Sequence, residues 1–336
     1  MEKVAKLSPI ICLGIESTAD NLGVGVVTSE GDILANEVMI HTPSKGGIHP
    51  REAARHHSEN IGNLIQKTLE KAELSPSKIS FISFAQGPGL GPCLRTGATS
   101  ARALAIYLKT PLVGVNHCVS HIEIGKLATG AVDPITLYVS GGNTLISGFE
   151  SRRYRVYGET LDIAIGNCLD TFARYANLKY PGGPAIEEKA AKGSKLIPLP
   201  YAVKGMDLSY SGLLTAVTNE YKTGKYRIED LCYSLQETGY AMLGEVTERA
   251  LAHTKKKELL LTGGVGANKR LRSIIKEIAE EQGVKPFYVP IDLAADNGAM
   301  IAWTGILAYT HGVRTAIETS YINSKWRLDE VEIPWK

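Results

Sequence analysis

Short apolar blocks separated by turn residues open the chain. "IICLGIE" (10–16) is nearly all apolar and predicts a buried strand, and "LGVGVVT" (22–28) and "DILANEVMI" (32–40) follow as strands, with "ESTADN" and "SEGD" as the turns between them. After the loop "GGIHP", the stretch from 51 to about 73 places apolar residues on one stripe and predicts a long amphipathic helix. "KISFISFAQ" is a strand, "GPGLGPCLRTG" a glycine-rich loop opening the helix "ATSARALAIYL", and "PLVGV" another strand leading into "NHCVSHIEIG". At residue 135 the pattern restarts: "ITLYVS", the turn "GGN", then "TLISGFE" and "YRVYGET" as strands. Helices are predicted over 162–178, 183–193, 212–223 and 228–254, then the strand "ELLLTGG", a helix from about 268, the strand "PFYVP" and a last helix from about 296.

A strand–turn–strand–turn–strand block that occurs twice, each time followed by helices, predicts two duplicated α/β domains of actin-like (sugar kinase/heat-shock ATPase-like) fold with a nucleotide cleft between them. The boundaries read as 8–134 completed by 297–336 for the first domain and 135–296 for the second. In such an architecture the turns between the first two strands of each copy face one another, and backbone N–H groups there and at helix N-termini bind phosphates. Three glycine loops fit that role: "YVSGGNT" (138–144), "YPGGPAIEEKA" (180–190) and "LLLTGGVGANKRLR" (259–272). None matches a P-loop or a Rossmann fingerprint. Glu187, in the first turn of its predicted helix, suits a ribose diol or the helix dipole equally. Asp170 sits on an otherwise apolar helix, where an acid needs a partner or a ligand.

Composition narrows the picture little. The chain has 336 residues, 44% hydrophobic and 21% charged, as an ordinary globular protein does. A net charge of +2 is no electrostatic footprint for holding nucleic acid unaided. Five scattered cysteines without a C-x-x-C pair read as reduced, mostly buried thiols of a cytoplasmic protein. Neither a signal peptide nor a membrane span is predicted. The run "KKK" at 255–257 reads as a solvated helix end.

His117 and His121 stand four apart on one predicted helix face, the spacing that lets two imidazoles grip one ion. A zincin helix reads H-E-x-x-H, with the base beside the first histidine; here Cys118 holds that place and the next acid is Glu123. The protease reading loses its base, and a bare pair fits two helix-surface or core histidines more often than a metal. Tyr138 and Asp296 could complete a His–His–Tyr–Asp set, whose hard donors suit iron ahead of zinc.

Together "GVNHCVSHIEIG", "LYVSGGNT", "GETLDIAIGNCLDTFAR", "YPGGPAIEEKA", "YAVKGMDLSYSGLL", "GGVGANKRLR" and "DNGAMIAWTG" resemble, over about residues 10–335, the tRNA N6-adenosine threonylcarbamoyltransferases, in particular the catalytic subunit of the archaeal and eukaryotic KEOPS complex. The family once carried an endopeptidase label for its HxxxH. The resemblance implies an actin-like fold and transfer of a threonylcarbamoyl group from threonylcarbamoyl-AMP to the adenosine 3′ of the anticodon in tRNAs reading ANN codons. It implies that His117, His121, Tyr138 and Asp296 hold the metal and do the catalytic work. It further implies that Tyr138, Val139, Ser140, Gly141, Gly142, Asp170, Gly183, Glu187 and Asn268 contact the adenine nucleotide, as the acyl-adenylate or as ATP or AMP in its site. The partners implied are tRNA, a kinase-like ATPase, a small dimerising subunit and a third small subunit, and the helix at about 51–73 fits a partner-facing element and ordinary packing within the first domain equally. Gly266, Ser120 and the lack of a cysteine before Asp296 depart from the usual pattern without removing a ligand. An actin-like ATPase or small-molecule kinase, and less so a metal-dependent endopeptidase, remain as alternatives.

Overall fold

A computed structural model describes residues 9–42 and 47–336. The first eight residues, and the start of the "GGIHP" loop, lie outside the described residues. The chain divides into two units, one of residues 1–127 and 296–336, the other of 128–295.

The first unit opens with an antiparallel meander, β1 (Ile11–Glu16), β2 (Asn21–Thr28) and β3 (Ile33–Ile40). Helix α1 (Pro50–Lys71) leads to β4 (Phe81–Gly87), α2 (Gly91–Leu108) to β5 (Leu112–Asn116), and α3 (His117–Thr129) follows at once. β4 runs parallel to β1, and β5 to β4, so the sheet order is β3-β2-β1-β4-β5. Leu13, Ile15, Val24, Val26, Phe84 and Leu64 form a core between this sheet and α1 and α2.

The second unit repeats the scheme. Its meander is β6 (Ile135–Val139), β7 (Thr144–Glu150) and β8 (Arg153–Glu159), followed by α4 (Ile165–Tyr175) and α5 (Gly182–Ala190). A two-residue hairpin, β9 (Val203–Lys204) and β10 (Asp207–Leu208), precedes α6 (Ser211–Thr223) and α7 (Ile228–Thr254). Then come β11 (Glu258–Thr262), α8 (Lys269–Gln282), β12 (Lys285–Tyr288) and the short α9 (Ile291–Ala294). The sheet order β12-β11-β6-β7-β8 is the first unit's order again: a meander, then two parallel strands added to its first strand. Leu137, Val139, Ile146, Phe172, Leu235 and Leu261 lie in its core.

The helix expected from 162 begins only at Ile165. Asp162 is withheld from it because its carboxylate accepts from the backbone N–H groups of Ile163 (2.7 Å), Tyr210 (2.9 Å) and Ser211 (3.1 Å) and from the Ser209 hydroxyl (2.6 Å). One side chain thus anchors the start of α6 to the approach of α4. Those hydrogen bonds outweigh the effect of burial and hold Asp162 far below the usual carboxylate range.

The last helix, α10 (Gly298–Thr310), returns to the first unit and lies directly on the backbone of β1 and β2. A Cβ on Gly25 would sit 2.3 Å from the Ala299 nitrogen, and one on Gly14 2.3 Å from that of Ala302. Glycines on these strands therefore set the helix's depth, and with it the place of the two residues just before it, Asp296 and Asn297.

Candidate metal centre and nucleotide loops

The metal-binding candidates of the first unit arise from two chain reversals. At the end of β5, the Asn116 side chain accepts from the Cys118 and Val119 N–H groups (2.9 and 3.1 Å), so the strand turns into α3 with no intervening residue. That places His117 at the first position of α3 and His121 one turn on, with ring centroids 4.7 Å apart. From the other direction, Asn297 caps α10 by accepting from the Met300 N–H (3.0 Å), and the preceding Asp296 points at the histidines. Asp296 Oδ1 lies 3.0 Å from His121 Nε2 and 3.6 Å from His117 Nε2. Both rings are buried, while Asp296 keeps 18% of its side chain exposed.

Behind His117 is a residue that the sequence did not single out. Glu16, the last residue of β1 and wholly buried, places Oε2 2.9 Å from His117 Nδ1 and accepts from the Thr18 N–H (2.6 Å) with Oε1. The pairing spans 101 positions. The sequence signal was an acid closing an otherwise apolar strand.

Glu16 decides the state of the ring. With Nδ1–H donated to Glu16, a neutral His117 turns the lone pair of Nε2 toward the Asp296 carboxylate, and two acceptors at that distance repel. A positive charge belongs between them, either a proton or a metal ion. Burial disfavours the imidazolium, but the Glu16 and Asp296 carboxylates outweigh it and raise His117 to about 9. In turn, burial would raise Asp296, yet His117 and His121 hold it below the usual carboxylate range. The donor atoms of His117, His121 and Asp296 lie within 4.8 Å of one another, alone in forming such a group among the described residues. Donors about 2.1 Å from a shared ion stand roughly 3.0–3.4 Å apart at octahedral or tetrahedral angles, close to the two spacings from Asp296 Oδ1 to the histidine Nε2 atoms. A carboxylate behind a ligating histidine is also the usual outer support of such sites. The residues present fit a metal of borderline or hard character.

Glu123 is unavailable as a base here, because its carboxylate binds Lys126 (2.8 Å) and the Trp335 indole N–H (3.1 Å). None of the five cysteines is in a disulfide, and all are buried.

The other site candidates belong to the second unit. Tyr138 is buried on β6, and its hydroxyl accepts from the Asn143 amide (3.3 Å). The loop after β6 is pinned, with Ser140 N–H donating to Asn143 O (2.8 Å) and the Ser140 hydroxyl accepting from the Asn143 N–H (3.0 Å). A Cβ on Gly263 would meet Val139 O at 2.2 Å, and one on Gly166 would meet Ser140 O at 2.3 Å, so both neighbouring segments press on this loop. Gly141 and Gly142, by contrast, face open space, as does Gly183. Asp170 accepts from the Gly182 N–H (2.7 Å) and so holds the start of α5; burial raises its carboxyl, against the pull of the Gly182 and Gly183 amides. Glu187 accepts from the Lys269 N–H (2.8 Å). Asn268 caps α8 through Leu271 N–H (3.0 Å) and donates to Gln236 Oε1 (3.1 Å). Glu187 and Gln236, with Tyr233, Glu237 and Arg270, line an open hollow of ≈ 640 Å³. The structure thus gathers His117, His121 and Asp296 in the first unit. In the second, Glu187 is joined to the start of α8 beside Asn268, Asp170 to the loop that carries Gly183, and Tyr138 to the Ser140–Gly142 turn.

Two sheets of repeated topology, one unit carrying a candidate metal-binding triad and the other glycine loops with open space beside them, define an actin-like-fold protein with a candidate metal centre. The fold is shared with HypF of Thermococcus kodakarensis (TM-score 0.64, 15% identity, 90% of this chain and 49% of that one) and with component A of the Acidaminococcus fermentans (R)-2-hydroxyglutaryl-CoA dehydratase (TM-score 0.56, 17% identity, 88% and 98%). Sequence goes further. Residues 31–303 match the family described as TsaD, tRNA N6-adenosine threonylcarbamoyltransferase. The chain is 57% identical over 326 residues to the Thermococcus kodakarensis tRNA N6-adenosine threonylcarbamoyltransferase, covering 97% of this chain and all of that one. It is 55% identical to a probable bifunctional tRNA threonylcarbamoyladenosine biosynthesis protein of Methanocaldococcus jannaschii, covering 97% of this chain and 60% of that protein. The chain belongs to the tRNA N6-adenosine threonylcarbamoyltransferase family.

Proposed function

We propose that the protein transfers the threonylcarbamoyl group of threonylcarbamoyl-AMP to the N6 amine of the adenosine 3′ of the anticodon in tRNAs that read ANN codons. The observation that carries this reading is the buried His117–His121–Asp296 group with Glu16 behind it, in a chain of this family. The metal is iron ahead of zinc, held by His117, His121 and Asp296; the part implied for Tyr138 rests on the family resemblance. When bound, such an ion supplies Lewis-acid stabilisation of negative charge on oxygen.

The donor is a mixed anhydride, so no enzyme nucleophile is required. The amine nitrogen bonds to the carbamoyl carbon, the bond from that carbon to the phosphate oxygen breaks, AMP leaves, and the amine gives up one proton. Glu16 fixes the His117 tautomer. The open Gly141 and Gly142 backbone lets an anionic group approach closely, with Val139 and Ser140 setting the turn. Asp170 acts by holding the loop of Gly183, and Glu187 and Asn268 face the ribose and adenine side. Adenine's exocyclic amine is a weak nucleophile, so orientation contributes heavily.

The endopeptidase reading lacks a base: Glu123 is engaged, and Glu16 stands behind the His117 ring. The reading as part of KEOPS, with a kinase-like ATPase, a small dimerising subunit and a third small subunit, is supported by the bifunctional name of the longer M. jannaschii relative. It is supported also by the α1–α2 face, where Ile106 and Tyr107 are 62% and 80% exposed. No helix among the described residues is long and apolar enough to cross a membrane; the proposed tRNA substrate is what favours a cytoplasmic place of action. The test is to incubate the purified protein with threonylcarbamoyl-AMP and cognate tRNA, alone and with the partner subunits, and to analyse the nucleosides. Threonylcarbamoyladenosine is the expected product; its absence in both arms would refute the assignment.

A further inference from the structure

The basic run at 255–257, which reads in sequence as a solvated helix end, does not stand alone in the fold. β11 pairs Leu259 with Ile135 of β6, β6 pairs Ile135 with Gly148 of β7, and β7 pairs Gly148 with Arg155 of β8. On the other side, Glu258 pairs with Lys285 of β12. The strand starts and the β7–β8 turn therefore share one end of the sheet, opposite the Ser140–Gly142 loop. Seven cationic residues collect there. Lys256 lays its stem across Gly148, 3.2 Å from where a Cβ would stand, and pairs with Asp133 (2.6 Å). Arg155 lies 3.4 Å from Glu150. Glu258 is taken up by the Val132 and Asp133 N–H groups (2.8 and 2.7 Å). Arg152, Arg153, Lys255, Lys257 and Lys285 remain, all exposed and none in an ion pair among the described residues, with Lys285 lying over the Phe287 ring at 4.6 Å.

Five strands about 4.8 Å apart make this edge roughly 20 Å wide. A chain of net charge +2 concentrates an excess of positive charge on it. Cations spread over such a width on long side chains suit a polyanion backbone rather than a single small anion. β6 separates the edge from the Ser140–Gly142 loop by about 17 Å, a span that one folded RNA bridges.

Resting on the reading of tRNA as substrate, we propose that this end of the β12-β11-β6-β7-β8 sheet is a docking surface for the tRNA sugar–phosphate backbone. It acts without base readout and offsets the near-neutral charge of the rest of the chain.

The test compares the full-length wild type with the R152Q/R153Q/K255Q/K257Q variant and with a K192Q/K276Q control that neutralises exposed lysines elsewhere. Equilibrium tRNA binding is measured from 50 to 200 mM salt, together with transfer at saturating tRNA and thermal unfolding. The expected result for the four-site variant is binding weakened about tenfold or more and a log–log salt slope reduced by about 3. The control, the unfolding temperature and transfer at saturating tRNA stay at wild-type values. If the wild type modifies tRNA but the four-site variant keeps its affinity and slope, the docking surface is refuted and the substrate reading stands. If the wild type neither binds nor modifies tRNA, the substrate reading fails and the surface falls with it. Loss of binding to anionic lipid vesicles with unchanged tRNA binding would assign the surface to membranes and overturn the proposal.

Discussion

The Glu16→Gln variant isolates the metal site's outer support. Glu16 uses both carboxylate oxygens, Oε1 for the Thr18 N–H at 2.6 Å and Oε2 for His117 Nδ1 at 2.9 Å. An amide of the same shape has one acceptor and one donor end. The backbone N–H cannot change sign, so the amide oxygen must face Thr18 and the NH2 must face His117. Nδ1 then has to become the acceptor, which moves the ring proton to Nε2, the atom that faces Asp296 and would ligate the ion. Loss of an outer-shell partner of this kind costs about 10–100-fold in metal affinity, or about 1.4–2.7 kcal/mol. The assay is competition titration of Zn²⁺ or Co²⁺ against a chelator of known affinity, with cobalt absorption reporting the ligand set. Stability measured in parallel shows whether the variant folds. Metal affinity within twofold of wild type in a folded Glu16→Gln protein would refute the tautomer argument.

Other expectations follow from the same geometry. Gly25→Ala should cost about 1–3 kcal/mol in urea unfolding, because the new methyl meets the α10 backbone, and should weaken metal binding through Asp296. Asp162→Asn should lower the melting temperature at pH 6–8. Asp162's native pKa is depressed, so its stabilisation is present above about pH 4, the unfolded carboxylate's value, and is lost as pH falls further. The gap between the two melting curves should therefore narrow progressively as pH falls below about 4 and vanish only at the far lower folded pKa, and a gap independent of pH would contradict the role. Asn268→Ala should lose about 0.5–2 kcal/mol with the α8 cap, whereas Asn268→Asp keeps the cap and loses only the amide donor. If nucleotide affinity, measured by calorimetry, falls in the Asp variant while stability holds, the amide serves the ligand.

The duplicated meander was legible because continuous apolar blocks between turn residues report burial directly, and the two units share one strand order. The histidine pair was legible through its local spacing, and Asp296 as an acid opening the last helix, a reading that the resemblance then supported. Glu16 was not, since periodicity says which residues are buried and not which distant residue each meets; the same holds for Trp335 on Glu123, 212 positions apart. Asp162 read as helix because it leads into an apolar run, and only the fold brings Ser209 to Ser211 against it. The two-residue strands β9 and β10 carry no period at all.

The most direct measurement is a metal titration of chelator-treated protein with threonylcarbamoyl-AMP and cognate tRNA, following threonylcarbamoyladenosine formed against metal bound. Product should rise in step with occupancy and level off at one ion per chain, and His121→Ala should neither bind the ion nor recover. Full transfer by protein shown by elemental analysis to hold no metal would contradict the account.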